Sequence, residues 1–151
     1  MLDTKVPDFT LPATGGTAFS LAAQAGRIVV LYFYPKDSTP GCTTEAQQFR
    51  DLHPEFVAVD AGILGISRDS VKSHETFKAR QNLPFELGSD ADEAVCNLFG
   101  VIKQKMMYGK QVRGIERSTF VFDAEGKLVK SWRGLKAPGH AAEVLGFVRG
   151  R

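Results

Sequence analysis

Residues 28–49 read IVVLYFYPKDSTPGCTTEAQQF, and the change of pattern inside this stretch decides the fold. Ile28 to Tyr34 is apolar on both faces and rich in β-branched and aromatic residues, which predicts a central strand covered by helices on both sides. Pro35 ends it. From Thr39 the pattern turns helical. Thr39 suits an N-cap, and Pro40 suits the first helical position, where a missing N–H costs nothing. Ala46, Phe49 and Phe56 then recur at helical spacing, with the end of the helix expected near His53-Pro54 or shortly after. Cys42 is its third residue.

On the N-terminal side, FTLPATGGTAFSL (9–21) places two short apolar pieces around Gly15-Gly16, a pair suited to the positive φ angles of a tight hairpin. GILGIS (62–67) predicts the next buried strand. Ser70 or Asp69 can cap a helix reaching about Gln81, PFEL (84–87) reads as a short extended piece, and Ser89 with Asp92 resembles a capping box for a helix ending at Phe99. Residues 101–116 read as polar and irregular. STFVFDAEGKLVKSW (118–132) is a second hairpin turning at Asp-Ala-Glu-Gly, and His140 to Val148 makes a closing helix. Parallel crossovers followed by a hairpin imply an α/β sandwich with a mixed central sheet flanked by helices. The order resembles the thioredoxin-like fold with an N-terminal β-hairpin extension, as one domain over 1–151.

A chain of 151 residues, 43% hydrophobic and 24% charged, can fill a single core. Its 19 basic and 17 acidic residues give a net charge of +2 and no basic stripe, which argues against nucleic acid as a partner. The first residues, MLDTKVPDFTLPATGG, are broken by prolines and charges and lack the apolar stretch of a secretory signal. The run from Ile28 to Tyr34 is too short to cross a bilayer, so no membrane association is expected. Two cysteines do not make a disulfide scaffold, and the expected setting is the cytoplasm, where both rest as thiols.

At the third position of a helix, unpaired backbone N–H groups and the positive end of the dipole favour a thiolate. The dipole contributes only about 0.3–1 kcal/mol at an exposed site, so a cation is needed as well. Arg117, immediately before the strand STFVF, can point over the sheet edge toward the helix start. The Thr39 hydroxyl can donate or accept a hydrogen bond beside the sulfur. Pro35 can exclude water above it. The competing reading makes Cys42 a small buried hydrophobe on the face shared with Ala46 and Phe49. A dyad with His53 fails on distance, since eleven residues at about 1.5 Å each separate the two along the helix. All three histidines are expected at the surface or at helix ends.

The run FYPKDSTPGCTTE, with Pro35, Thr39 and Cys42 in the pattern P-x-x-x-T-x-x-C, resembles the active-site segment of peroxiredoxins. The fuller similarity is to the subgroup called bacterioferritin comigratory protein, extending through GILGISRDSVKSH, DADEAVCNLFGV and GIERSTFVFDAEGKL. The resemblance implies a thiol peroxidase that needs no metal or organic cofactor. Cys42 would attack the terminal oxygen of a hydroperoxide and become a sulfenic acid, Thr39 would hydrogen-bond peroxide and thiolate, and Arg117 would stabilise both the thiolate and the leaving oxygen. Pro35 would shield the sulfur, and Glu45 would orient the arginine. The implied reductant is thioredoxin, glutaredoxin or a small thiol. The implied state is a monomer, with a weak dimer as the alternative.

The chain departs from the subgroup where a second cysteine is common: Gln47 stands five residues after Cys42, and Lys78 stands in the next helix. The expected mechanism therefore uses one cysteine and an external thiol. The alternative is a Cys42–Cys96 disulfide, which requires the two Cα atoms to come within about 7 Å. A thiol–disulfide oxidoreductase would need C-x-x-C, and residues 39 and 45 are Thr and Glu. A non-enzymatic module has no use for Cys42, Thr39 and Arg117 together, and the ligand spacing of a zinc site is lacking.

Overall fold

The computed structural model describes residues 2–151 apart from the Met107 side chain, so Met1 of the expected domain lies outside it. Strand β4 (Ile28–Phe33) lies near the middle of an eight-stranded mixed sheet in the order β1-β10-β9-β4-β5-β6-β2-β3. It pairs parallel with β5 (Ala61–Ser67), which pairs parallel with β6 (Glu86–Ser89). On its other side it pairs antiparallel with β9 (Ser118–Phe122), which forms a hairpin with β10 (Lys127–Arg133). The fold is thus the mixed α/β, thioredoxin-like arrangement read from the sequence.

Alternation along β4 builds two cores. Val30 and Tyr32 face helices α1 (Pro40–Ala58), α2 (Val71–Gln81) and α4 (His140–Arg149), whereas Val29, Leu31 and Phe33 face the side carrying α3 (Ala94–Phe99). Tyr32 stacks on Phe49 of α1 at 4.7 Å and 14° between planes. Gly65 on β5 makes this possible, because a Cβ there would stand 2.7 Å from the Tyr32 ring.

Several elements differ from the sequence reading. The N-terminal hairpin, β2 (Thr10–Ala13) and β3 (Thr17–Ser20), turns at Gly15 and Gly16 with positive φ as expected, yet it is no separate appendage. Ala13 pairs with Gly88 and the Thr14 amide donates to the Leu87 carbonyl, so the hairpin closes one edge of the main sheet. Thr4–Lys5 forms β1 on the opposite edge against β10. Helix α1, by contrast, ends at Ala58, shortly after Pro54 as expected, because burying Phe56 outweighs the single hydrogen bond that proline removes. At the start of helix α3 Asp92 accepts from the Ala94 amide as expected, but Asp90 takes the place of Ser89, its carboxylate accepting from the amides of Val95 and Cys96 while the Ser89 hydroxyl donates to the Asp69 carbonyl. Residues expected to be irregular form a two-stranded ribbon, β7 (Ile102–Met107) and β8 (Lys110–Ile115), turning at Tyr108 and Gly109 with positive φ at both.

Candidate active site

Helix α1 begins as the sequence implies: Thr39 is the N-cap, Pro40 the first helical residue and Cys42 the third. The first intrahelical bond is Thr43 N–H to the Thr39 carbonyl at 2.9 Å, so the amides of Gly41 and Cys42 stand ahead of it at the positive end of the helix. Cys42 is 1% exposed and packs with the inward face that also carries Glu45, Ala46 and Phe49. It is therefore buried, as the hydrophobic reading requires, and it also has a charged neighbour.

That neighbour is Arg117. Phe33 pairs with Ser118, which brings the residue before β9 beside the loop leaving β4. The Glu116 amide donates to the Val101 carbonyl at 2.7 Å and the Leu135 amide donates to the Arg117 carbonyl at 3.2 Å, so the backbone there is held on both sides. Arg117 Nη2 lies 3.5 Å from Cys42 Sγ, and Nη1 donates to Glu45 Oε1 at 2.7 Å. One guanidinium thus joins the thiol at helix position three to the carboxylate one turn on. Burial pushes the Glu45 carboxyl up to about 7, with Arg117 opposing, and its Oε2 has no hydrogen-bond partner among the described residues. Burial works against the Arg117 charge, yet Glu45 and Cys42 hold that guanidinium above its ordinary value.

Gly41 makes room for this contact, because a Cβ there would lie 3.0 Å from Arg117 Nη2. Gly41→Ala should raise helix stability by up to about 1 kcal/mol. It should also lower the Cys42 oxidation rate about tenfold by displacing the nitrogen that faces sulfur, as thermal unfolding and rapid-quench mass analysis would check.

The Thr39 hydroxyl makes no cap bond; it donates to the Lys36 carbonyl at 2.8 Å, which leaves its lone pairs free to accept. Pro35 is half-buried two residues beyond the end of β4. A model of the AhpC/TSA family matches residues 2–131. The chain belongs to the AhpC/TSA family. This peroxiredoxin is 57% identical to peroxiredoxin Bcp of Xanthomonas campestris pv. campestris over 94% of this chain and 89% of that one. It is 49% identical to peroxiredoxin Bcp of Bacillus subtilis, covering 93% and 90%. The Xanthomonas campestris bacterioferritin comigratory protein, solved in trapped-intermediate and ligand complexes bearing on its alkyl peroxide reduction, superposes with a TM-score of 0.93. That match has 52% identity and covers 99% of this chain and 98% of the other. Membership at this level makes the protein a thiol-dependent peroxidase.

In this peroxiredoxin the second thiol is badly placed to meet the first. Cys96 is fully buried in the core on the far face of the sheet from Cys42. Burial, reinforced by Asp90, pushes its thiol well above the ordinary range, so it is a poor nucleophile. The two positions where relatives of the subgroup carry a second cysteine are polar here. Gln47 donates to Gln81 at 2.9 Å, and Lys78 pairs with Glu86.

His74 departs from expectation, and His140, at a helix end as expected, is buried rather than exposed. The His140 Nε2 lies 2.8 Å from Thr119 Oγ1 on β9. His74 is fully buried against Asp37, in the loop that leads to Thr39. The available signal was its place three residues before the buried Phe77 on α2. Among the described residues no helix is long and apolar enough to cross a membrane.

Proposed function

We propose that Cys42 is the peroxidatic residue and that it works without a second cysteine of the chain. The thiolate attacks the terminal oxygen of a hydroperoxide. The S–O bond forms as the O–O bond breaks, and the departing oxygen takes a proton to leave as water or an alcohol. The contact between Arg117 Nη2 and Cys42 Sγ carries this reading. A donor fixed there stabilises charge as it passes from sulfur to the leaving oxygen, more strongly in the transition state than before it. Thr39, with its proton committed to Lys36, accepts a hydrogen bond from the peroxide, Pro35 shields the sulfur, and Glu45 holds Arg117 in place.

The substrates are hydrogen peroxide and organic hydroperoxides, in keeping with the alkyl peroxide reduction of the Xanthomonas campestris relative. A first external thiol condenses with the sulfenic acid to release water. A second thiol then releases Cys42 as a thiol and leaves as the disulfide. Thioredoxin, glutaredoxin or a small thiol fits that role in a cytoplasmic setting, and a monomer suffices because one chain supplies every group named. Intact-mass analysis after one equivalent of hydrogen peroxide, with a sulfenic-acid trap, tests the reading. A trapped adduct on wild type and none on Cys42→Ser is expected. Loss of two hydrogens in monomeric protein would instead assign Cys96 as the resolving partner.

A further inference from the structure

The loop between β4 and α1 carries a buried polar network that the sulfur chemistry does not use. Asp37 accepts at Oδ1 from the Tyr34 hydroxyl at 2.6 Å and at Oδ2 from the Ser73 hydroxyl at 2.8 Å. His74 Nδ1 stands 2.7 Å from the same Oδ2. Three donors on one carboxylate keep it ionised: burial alone would raise Asp37, but the bonds from His74 and Tyr34 hold it below its usual range. His74 Nε2 lies 3.0 Å from the Gly88 carbonyl, which can only accept. Both ring nitrogens therefore face acceptors, so the fully buried ring is tied to the Asp37 carboxylate on one side and to β6 on the other. The Asp37 amide adds a further tie, donating to Asp69 Oδ2 at 2.9 Å, and Asp69 is itself held by the Ser67 hydroxyl at 2.6 Å.

These bonds bind the loop to the ends of β4, β5 and β6 and to the first turns of α2. The residue after Asp37 needs such a hold. Ser38 has φ +65°, a conformation that a residue with a side chain adopts only when its surroundings impose it. Thr39, Pro40 and Cys42 come next, so the kink at Ser38 sets where the helix starts and where the Thr39 oxygen stands relative to sulfur.

The geometry points to Asp37 and His74 as a buried hydrogen-bonded clamp that positions the peroxidatic loop. This rests on the assignment of Cys42 as the reacting residue. Asp37 and His74 are positioning residues: neither meets the peroxide, and both act through the backbone of residues 38–40. The two act as a unit, because removing either partner leaves the other buried and short of its hydrogen bond.

The experiment compares Asp37→Asn, His74→Gln, the double variant and Tyr34→Phe with wild type. It reads Cys42 oxidation by hydrogen peroxide in rapid-quench mass analysis, alkylation of Cys42 by iodoacetamide, and thermal unfolding. Asp37→Asn and His74→Gln are each expected to lower oxidation at least tenfold while alkylation, which needs the thiolate but not Thr39, stays within threefold. The double variant should be no slower than the slower single, since one loss already breaks the clamp. Tyr34→Phe, which keeps the pair and removes one donor, should cost two- to fivefold and decides the matter if either of those variants does not fold. Rapid wild-type oxidation with folded variants within twofold of it would overturn the clamp alone. Failure of wild-type Cys42 to oxidise would overturn the assignment beneath it.

Discussion

Arg117→Met should lower the rate constant for Cys42 oxidation by about 10²- to 10³-fold, the loss expected on removing one fixed donor from a developing negative charge. Methionine keeps the length and apolar stem of the side chain, so the change isolates the guanidinium. Arg117 Nη2 is the side-chain donor that meets Cys42 Sγ, and the helix start alone supplies too small a field to replace it. The fold tolerates the loss, because Glu45, already pushed up to about 7 with the cation opposing, takes up a proton when the cation is gone. Arg117→Lys should recover only part of the rate, since a point charge cannot face the sulfur and hold Glu45 at the same time. The measurement is rapid-quench mass analysis with circular dichroism on each variant. A rate for Arg117→Met within threefold of wild type would remove Arg117 from the chemistry.

The stretch from Ile28 to Phe49 was legible because each of its features has one physical reading: a run apolar on both faces, a proline stop, a threonine cap and a proline at the first helical position. The pairing of Arg117 with Cys42 followed from where the strand STFVF had to lie. The ribbon of β7 and β8 was not legible. It stands apart from the main sheet with its strands largely exposed, so no apolar alternation marks them, and Tyr-Gly is a weaker turn signal than Asn-Gly. Strand β1 is two residues long, too short for any pattern. The clamp at Asp37 was hidden for another reason. Its partners on and before α2 lie 32 to 37 residues away, and only the parallel β4–β5 crossover brings the start of α2 beside the loop. That Glu45 orients Arg117 comes from resemblance alone; that it is wholly buried follows from its place one turn beyond Cys42 on the inward face.

That burial has a measurable consequence. Between pH 4.5 and about 7, Glu45 should make the protein less stable by about 3 kcal/mol, and Glu45→Gln should abolish this part of the pH dependence. Below 4.5 the folded and unfolded chains both keep the proton, and the contribution to stability is complete. As pH rises through the window the unfolded chain releases the proton while the folded chain retains it, which favours unfolding. Above about 7 both are ionised and the loss is full. His53 and His140, both held below their ordinary values by burial, slope the other way near the same pH. The quantity to measure is therefore the difference between wild type and Glu45→Gln in urea midpoints from about pH 5 to 8. Glutamine should gain on wild type steadily up to about pH 7 and then hold its lead. A constant difference across the range would mean that Glu45 stays ionised throughout as a settled partner of Arg117. A growing difference would mean that the enzyme keeps a costly carboxylate at the back of its site, and the unpartnered Oε2 is where that cost arises.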